Sequence, residues 1–250
     1  MDVKLTLIGG PTLILEMAGV RLMTDPTFDP PGEYQGGVVL TKTRGPAMAP
    51  ESVGEIDAVL LSHDQHFDNL DRAGRAFLTR AGATYSTRAA AQRLGSGVAG
   101  LAPWETARLH GGLHITATPA RHGPPGIEPI SGDVTGFALG VEKPGDAIYI
   151  SGDTVWFDGV AEAARRFQPR LLVLFTGSAQ TRGAFHLTMD CNDALETAHA
   201  FPDAKIVAIH NDGWTHFKET QADIAQGFGV FGLSSRLQTL ELGKPIRLTL

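Results

Sequence analysis

Apolar residues recur along this chain in two rhythms, and the change from one to the other divides it into elements. Near the start, "KLTLI" (4–8), "TLILEM" (12–17) and "VRLMT" (20–24) are short runs rich in β-forming residues, and the Ala18-Gly19 pair predicts a tight connection between the last two. Two Pro- and Gly-laden stretches, "DPTFDPPGEYQGG" and "KTRGPAMAPESVGE", read as loops. "IDAVLLS" (56–62) is a continuous apolar run of strand length, the sign of a strand covered on both faces. The spacing of Leu70, Ala73, Ala76, Phe77 and Arg80 predicts a helix over 69–82 closed by Gly82, with Asn69 as its N-cap and Asp71 in its first turn. A second, shorter helix is expected over 87–95. Strands follow at 113–120, 137–142, 147–151, 170–176 and 205–210, and helices at 157–167, 190–201 and 218–228. No fixed-period repeat and no Ser/Gly-rich linker appear, so one αβ-layered domain over 1–250 is the simplest account. The β-rich opening argues against a plain doubly wound sheet.

Composition narrows the function. A net charge of −6 withholds the basic face that a broad grip on nucleic acid requires, so no nucleic-acid partner is expected. The single cysteine, Cys191, cannot form an internal disulfide and fits a reducing compartment. The opening "MDVKLTLIGG" has no apolar run of signal-peptide length, and no stretch approaches the ~20 apolar residues of a membrane span. A cytoplasmic protein acting on a small molecule, without membrane association, is the expectation. The Phe-rich "GFGVFGL" offers a surface to a second copy in a homo-oligomer.

Chemistry concentrates where strands end. "AVLLSH" runs into His63, "ITATPARH" into His122, "AIYISGD" into Asp153 and "KIVAIH" into His210. One histidine after a strand is ordinarily a satisfied hydrogen-bonding group. Four such ends, all carrying His or Asp, instead point to a metal, because imidazole nitrogen and carboxylate oxygen are what zinc, manganese or iron accept.

"SHDQHFDNLD", "RHG", "SGDTVW" and "AIHNDGW", in that order, resemble the successive motifs of the metallo-β-lactamase superfamily. The branch that looks nearest contains ascorbate-6-phosphate lactonase-like hydrolases, and "LIGGPTLILEMAGVRLMTDPTFDP" is similar to that branch's opening. The resemblance implies an α/β (α+β) fold, a four-layer αββα sandwich. It also implies a centre of one or two divalent ions, zinc first with manganese or iron as alternatives, at which a metal-activated water attacks an ester, lactone or phosphodiester. His63, His66, Asp68, His122, Asp153 and His210 are then the metal ligands, with Asp68 or Asp64 as proton acceptor.

The family pattern H-x-H-x-D-H is altered here. Counted from His63, the second histidine becomes Gln65. Counted back from Asp68, Asn69 replaces the last one. A one-residue insertion after Asp64 would let His63, His66 and Asp68 all serve. Gln65 or Asn69 would bind a dication only through a neutral amide oxygen, which leaves a degenerate, non-catalytic binding or scaffold protein as the rival reading. Asp153 in "SGDTVW" also fits a plain turn. His186 either faces substrate or metal, or only packs before a helix capped by Thr188 or Asp190. Trp214 and His216 line a pocket, or Trp214 is a core aromatic. Asp25 either orients a ligand histidine or makes an Asp-Pro turn. Arg121, beside His122, and Arg182 are candidates to hold a phosphate or carboxylate. Cys191 reads as structural.

Overall fold

The computed structural model describes residues 1–250, which fall into two compact units. The first comprises Met1–Leu101, Gly213–His216 and Leu240–Leu250; the second comprises Ala102–Asp212 and Phe217–Thr239.

The first unit is built on β1 (Asp2–Gly9), β2 (Thr12–Met17), β3 (Val20–Thr24), β6 (Ala58–Leu60), β7 (Thr84–Thr87), β8 (Val98–Leu101) and β15 (Ile246–Thr249), ordered β15-β1-β2-β3-β6-β7-β8. The first four strands in that order pair antiparallel and the rest parallel. Ala18 and Gly19, both with positive φ, turn the chain so that Met17 lies opposite Val20. Ile8, Ile14, Met23, Val59, Leu61, Leu70 and Phe77 form this unit's core. Each large buried side chain contributes roughly 1.5–3 kcal/mol of transfer free energy. A two-stranded hairpin, β4 (Gly32–Gln35) and β5 (Val39–Lys42), stands apart from the sheet.

The helices α1 (Arg72–Phe77) and α2 (Arg88–Leu94) belong to the same unit. α1 begins later than its apolar spacing suggests. Asn69 is not its cap: the Asn69 and Leu70 amides both donate to the His66 carbonyl, closing a turn. The cap is Asp71, whose Oδ1 accepts from the Gly74 amide at 2.8 Å. Gly74 is required there, because a Cβ would come within 1.8 Å of the Pro26 carbonyl oxygen.

The second unit repeats the plan. β9 (Thr106–Arg108), β10 (His114–Pro119), β11 (Thr135–Gly140) and β12 (Ile148–Ile150) pair antiparallel, and β13 (Leu171–Phe175) and β14 (Lys205–Ile209) continue from β12 in parallel. Its helices are α3 (Glu128–Ser131), α4 (Asp158–Arg166), α5 (Cys191–Ala200) and α6 (Gln221–Val230). Thr220 opens α6 with a capping box: its hydroxyl meets the Asp223 amide while Asp223 reaches back to the Thr220 amide. Tyr149, Leu172, Leu174, Met189, Ile206 and Phe228 are among its core residues. No helix is long and apolar enough to cross a membrane.

The parallel strands β6, β12 and β13 are buried along their length, and β14 at all but its first residue. The chain therefore places its polar side chains just beyond them, where loops are free to carry chemistry.

Candidate functional site

In the first unit, His63 sits three residues past β6 and is fully buried. Its Nε2 lies 2.8 Å from Nδ1 of His66. The other face of its ring is fixed by a relay. Asp25 Oδ1 accepts from the Ser62 amide at 2.9 Å and from the Ser62 hydroxyl at 2.7 Å, and the same hydroxyl oxygen lies 2.9 Å from His63 Nδ1. Since the hydroxyl proton is directed to the carboxylate, the oxygen accepts from Nδ1–H, and His63 keeps a bare Nε2 for a cation. Asp25 thus acts on the histidine through Ser62, a residue the motif reading passed over.

Asp68 is brought to His216, with Oδ2 2.9 Å from Nε2 across 148 residues of chain. The segment carrying His216 is pinned to β5 by bonds from the Thr43 amide to the Gly213 carbonyl and from the Thr215 amide to the Thr41 carbonyl. Trp214 is buried, its ring 5.6 Å from Tyr34 and 5.9 Å from His216, which makes it a core aromatic packed against that histidine. Asn69 is buried, its amide nitrogen 3.5 Å from the Ser62 hydroxyl, and its Oδ1 has no hydrogen-bond partner. Gln65 is exposed.

Asp64 requires a correction. Its carboxylate is gripped at both oxygens by Arg93, with Nε at 3.1 and 3.0 Å and Nη2 at 2.5 Å, and its carbonyl accepts from Arg75. Both carboxylate oxygens are already engaged by the Arg93 guanidinium, so the general-base role does not fall to Asp64.

In the second unit, His122 and Asp153 each lie three residues beyond a strand, and His210 directly follows β14. His122 Nδ1 is 2.8 Å from the Leu187 carbonyl. A carbonyl only accepts, so Nδ1 carries the proton and Nε2 is the bare donor. That Nε2 is 3.8 Å from Asp153 Oδ2, while His210 Nε2 is 3.4 Å from Asp153 Oδ1. One buried carboxylate therefore turns each of its oxygens toward a different imidazole. His210 is wedged between Phe175 and Phe217, with ring centroids at 5.5 and 4.8 Å.

These spacings suit metal ligands. Two donors about 2.0–2.2 Å from one ion, at the angles of a tetrahedral or octahedral shell, stand roughly 3 to 3.5 Å apart. The 3.4 Å pair in the second unit falls within that separation, and the 2.8 Å pair in the first lies just below it. The donors are neutral imidazole and carboxylate, and two of the imidazoles are locked in the right tautomer. The residues fit a divalent ion.

His186, Asp190 and Asp193 make another cluster in the second unit, with His186 Nε2 3.0 Å from Asp193 Oδ2 and Nδ1 3.6 Å from Asp190 Oδ2. Its carboxylates serve the backbone: Asp190 caps α5 through the Asp193 amide, and Asp193 accepts from the Trp156 amide. Hydrogen bonding to Asp193 raises the His186 pKa, against the opposing effect of burial, and nearby Asp190, Asp193 and Glu219 raise it further. A raised folded pKa contributes stability that is complete below about pH 6.5, the unfolded value, and fades as pH rises through the folded value. His186→Gln is therefore expected to lower the urea midpoint at pH 5.5–6 and to converge on wild type as the pH rises past the folded value. A deficit independent of pH would refute the ion-pair account.

Arg121 is tied to its own loop, with Nε 3.0 Å from the Gly123 carbonyl and the guanidinium over Phe157 at 4.7 Å. Burial first, then the Glu219 and Asp190 carboxylates, push the Cys191 thiol pKa up, which keeps it a thiol near neutral pH.

Comparison with known proteins agrees with this picture. A family model described as Beta-lactamase superfamily domain matches residues 20–211, a span that takes in segments of both units. The chain belongs to that family, within the metallo-β-lactamase superfamily. It is 25% identical to UPF0173 protein YddR of Bacillus subtilis (strain 168), over 96% of this chain and 98% of the relative. Among solved structures it is similar to an isothiocyanate hydrolase from Delia radicum gut bacteria, with a TM-score of 0.83 and 26% identity over 97% of this chain and 98% of that one. It also matches a possible metal-dependent hydrolase from Veillonella parvula, with a TM-score of 0.87 and 22% identity over 99% and 100% of the two chains. By class, then, this is a metal-dependent hydrolase of the metallo-β-lactamase fold.

Proposed function

We propose that the protein hydrolyses an ester, lactone or phosphodiester of a small molecule. Its metal ligands are His63, His66, Asp68, His122, Asp153 and His210, holding one or two divalent ions, zinc first, with manganese or iron as alternatives. The observation that carries this reading is Asp153, a buried carboxylate whose two oxygens face two imidazoles at 3.4 and 3.8 Å. A bound ion supplies Lewis acidity, which brings a water's pKa toward neutrality and stabilises charge developing on the substrate oxygen.

The chain's own residues do the rest. Asp25 and Ser62 hold the His63 ring, and the Leu187 carbonyl holds the His122 ring, so neither imidazole must reorganise when a cation arrives. Asp68 takes a proton at its carboxylate, and His216 Nε2, 2.9 Å from Oδ2, holds that carboxylate in place. Trp214 and Tyr34 form an apolar wall that excludes water beside these groups.

The similarity to an isothiocyanate hydrolase adds a second electrophile, the carbon of an isothiocyanate, to the substrates worth testing. The experiment is metal content by elemental analysis, with turnover of a p-nitrophenyl ester, a γ-lactone, bis(p-nitrophenyl) phosphate and benzyl isothiocyanate before and after chelation. About one or two equivalents of metal are expected, with turnover of at least one substrate lost on chelation and restored by zinc, manganese or iron. Protein that neither holds metal nor turns over any substrate would move the reading to a non-catalytic member of the fold.

A further inference from the structure

The first unit carries a pocket of about 200 Å³ beside His66 that the hydrolytic chemistry does not use. Phe67, Arg72 and Arg75 contribute to its lining, together with Asp64 and Asp71. Its charge balance is informative once partners are assigned. Asp64 is taken by Arg93 through both oxygens. Asp71 is taken by Lys42 at 3.2 Å and by the Phe28, Asp29 and Gly74 amides. Neither carboxylate has charge to spare for a cation in the pocket.

The two arginines are in the opposite state. The Arg72 guanidinium is exposed and lies 5.6 Å from the Tyr34 ring and 5.4 Å from the Phe67 ring; it makes no ion pair. Tyr34 and Phe67 are themselves in contact at 5.5 Å, so the guanidinium rests on a rigid aromatic support. Lying over these rings within cation–π range, the guanidinium is held near the pocket with its N–H groups available to an oxyanion. Arg75 spends one N–H on the Asp64 carbonyl at 3.2 Å and keeps the rest of its fork.

We infer that this pocket is an oxyanion subsite, in which Arg72 and Arg75 hold a carboxylate or phosphate group of the substrate while the bond to be cleaved lies toward His66. Calling the ligand a substrate rests on the hydrolase reading; the anion binding does not. The substrate class is narrowed accordingly to small molecules with a charged carboxylate or phosphate end remote from the scissile bond. The fork geometry of the two arginines is what would discriminate such molecules from neutral analogues of the same shape.

The test is calorimetric titration with phenylphosphonate, benzoate and neutral benzamide, which separates phosphate-like from carboxylate ligands and both from simple apolar binding. Wild type is expected to bind at least one anion about tenfold or more tighter than benzamide. Arg72→Gln/Arg75→Gln is expected to erase that gap, and each single Gln variant to reduce it several-fold, which keeps the test decisive should the double variant fold poorly. His210→Ala, which removes a proposed metal ligand, is expected to keep the gap. No preference for an anion in wild type would overturn the inference. So would a preference that survives the Gln substitutions, or one that vanishes in His210→Ala, since the anion would then be bound elsewhere. Absence of turnover on every ester would sink the hydrolase reading and leave these binding results standing.

Discussion

Asp153→Ala is expected to strip at least half of the bound metal and to lower turnover by about 10³-fold, in line with the 10²–10³ lost when a single preorganised charge-stabilising donor is removed elsewhere. The argument rests on placement. Asp153 is 1% exposed, follows β12 through Gly152, and sets one oxygen toward His122 and the other toward His210. Alanine removes both carboxylate oxygens at once. Asp153→Asn keeps the shape but offers a neutral amide oxygen, a weaker ligand, so an intermediate metal content is expected. A buried carboxylate among imidazoles is costly without a cation, so the metal-free alanine variant should melt no lower than metal-free wild type. Elemental analysis, turnover and thermal melts of the metal-free forms check all three outcomes. An alanine variant that keeps its metal and its activity would remove Asp153 from the ligand set.

The largest effect on stability is expected at Asp71. Its carboxylate is fully buried and accepts four donors: the Phe28 amide at 3.0 Å, the Asp29 amide at 2.6 Å, the Gly74 amide at 2.8 Å and Lys42 Nζ at 3.2 Å. It therefore ties the 25–29 loop, the start of α1 and the end of β5 together through one side chain. Lys42 is buried too, and burial lowers its pKa, with Asp71 opposing that shift. Asp71→Ala leaves an ammonium and three amides without their acceptor, and a loss of about 3–5 kcal/mol in urea unfolding is expected. Asp71→Asn, which preserves one acceptor and the volume, should cost less. Pairing it with Lys42→Met should cost less than the two single changes summed, because the partner left charged by one change is absent in the double variant. Additive losses would show that the pair is not coupled.

What the sequence made legible was whatever is local. β2 and β3 match their apolar runs residue for residue, and β1 differs from its run only at the ends, since strand and tight turn are written in adjacent residues. The strand-end histidines and Asp153 stood out because a polar residue after a buried strand is a contrast visible along the chain. The β4–β5 hairpin was hidden inside a Pro/Gly stretch, where only Tyr34, Leu40 and Lys42 are buried and no alternation stands out. β7, "TYST", is buried yet made mostly of hydroxyl residues, which hydropathy does not mark. The errors at the first motif are long-range. Asp64 looked like a base because Arg93 lies 29 residues on, and Asn69 looked like a cap because nothing local says that Asp71 collects amides from a loop more than 40 residues back. Ser62 and the Leu187 carbonyl carry no sequence signal at all; only the ring nitrogens they face reveal them.

His210 holds its backbone at φ +59°, the left-handed region that costs an ordinary L-residue of the order of 1 kcal/mol and glycine almost nothing. Asp25, with φ +27°, shares the same awkwardness beside His63. At these two places the residue that folds best and the residue that works best are different amino acids. A population of this protein evolving under demand for heat resistance alone would drift toward glycine or asparagine at 210 and lose its imidazole early, with the fold intact. His210→Gly is thus expected to ease the backbone and remove the imidazole in one step, leaving a more stable scaffold.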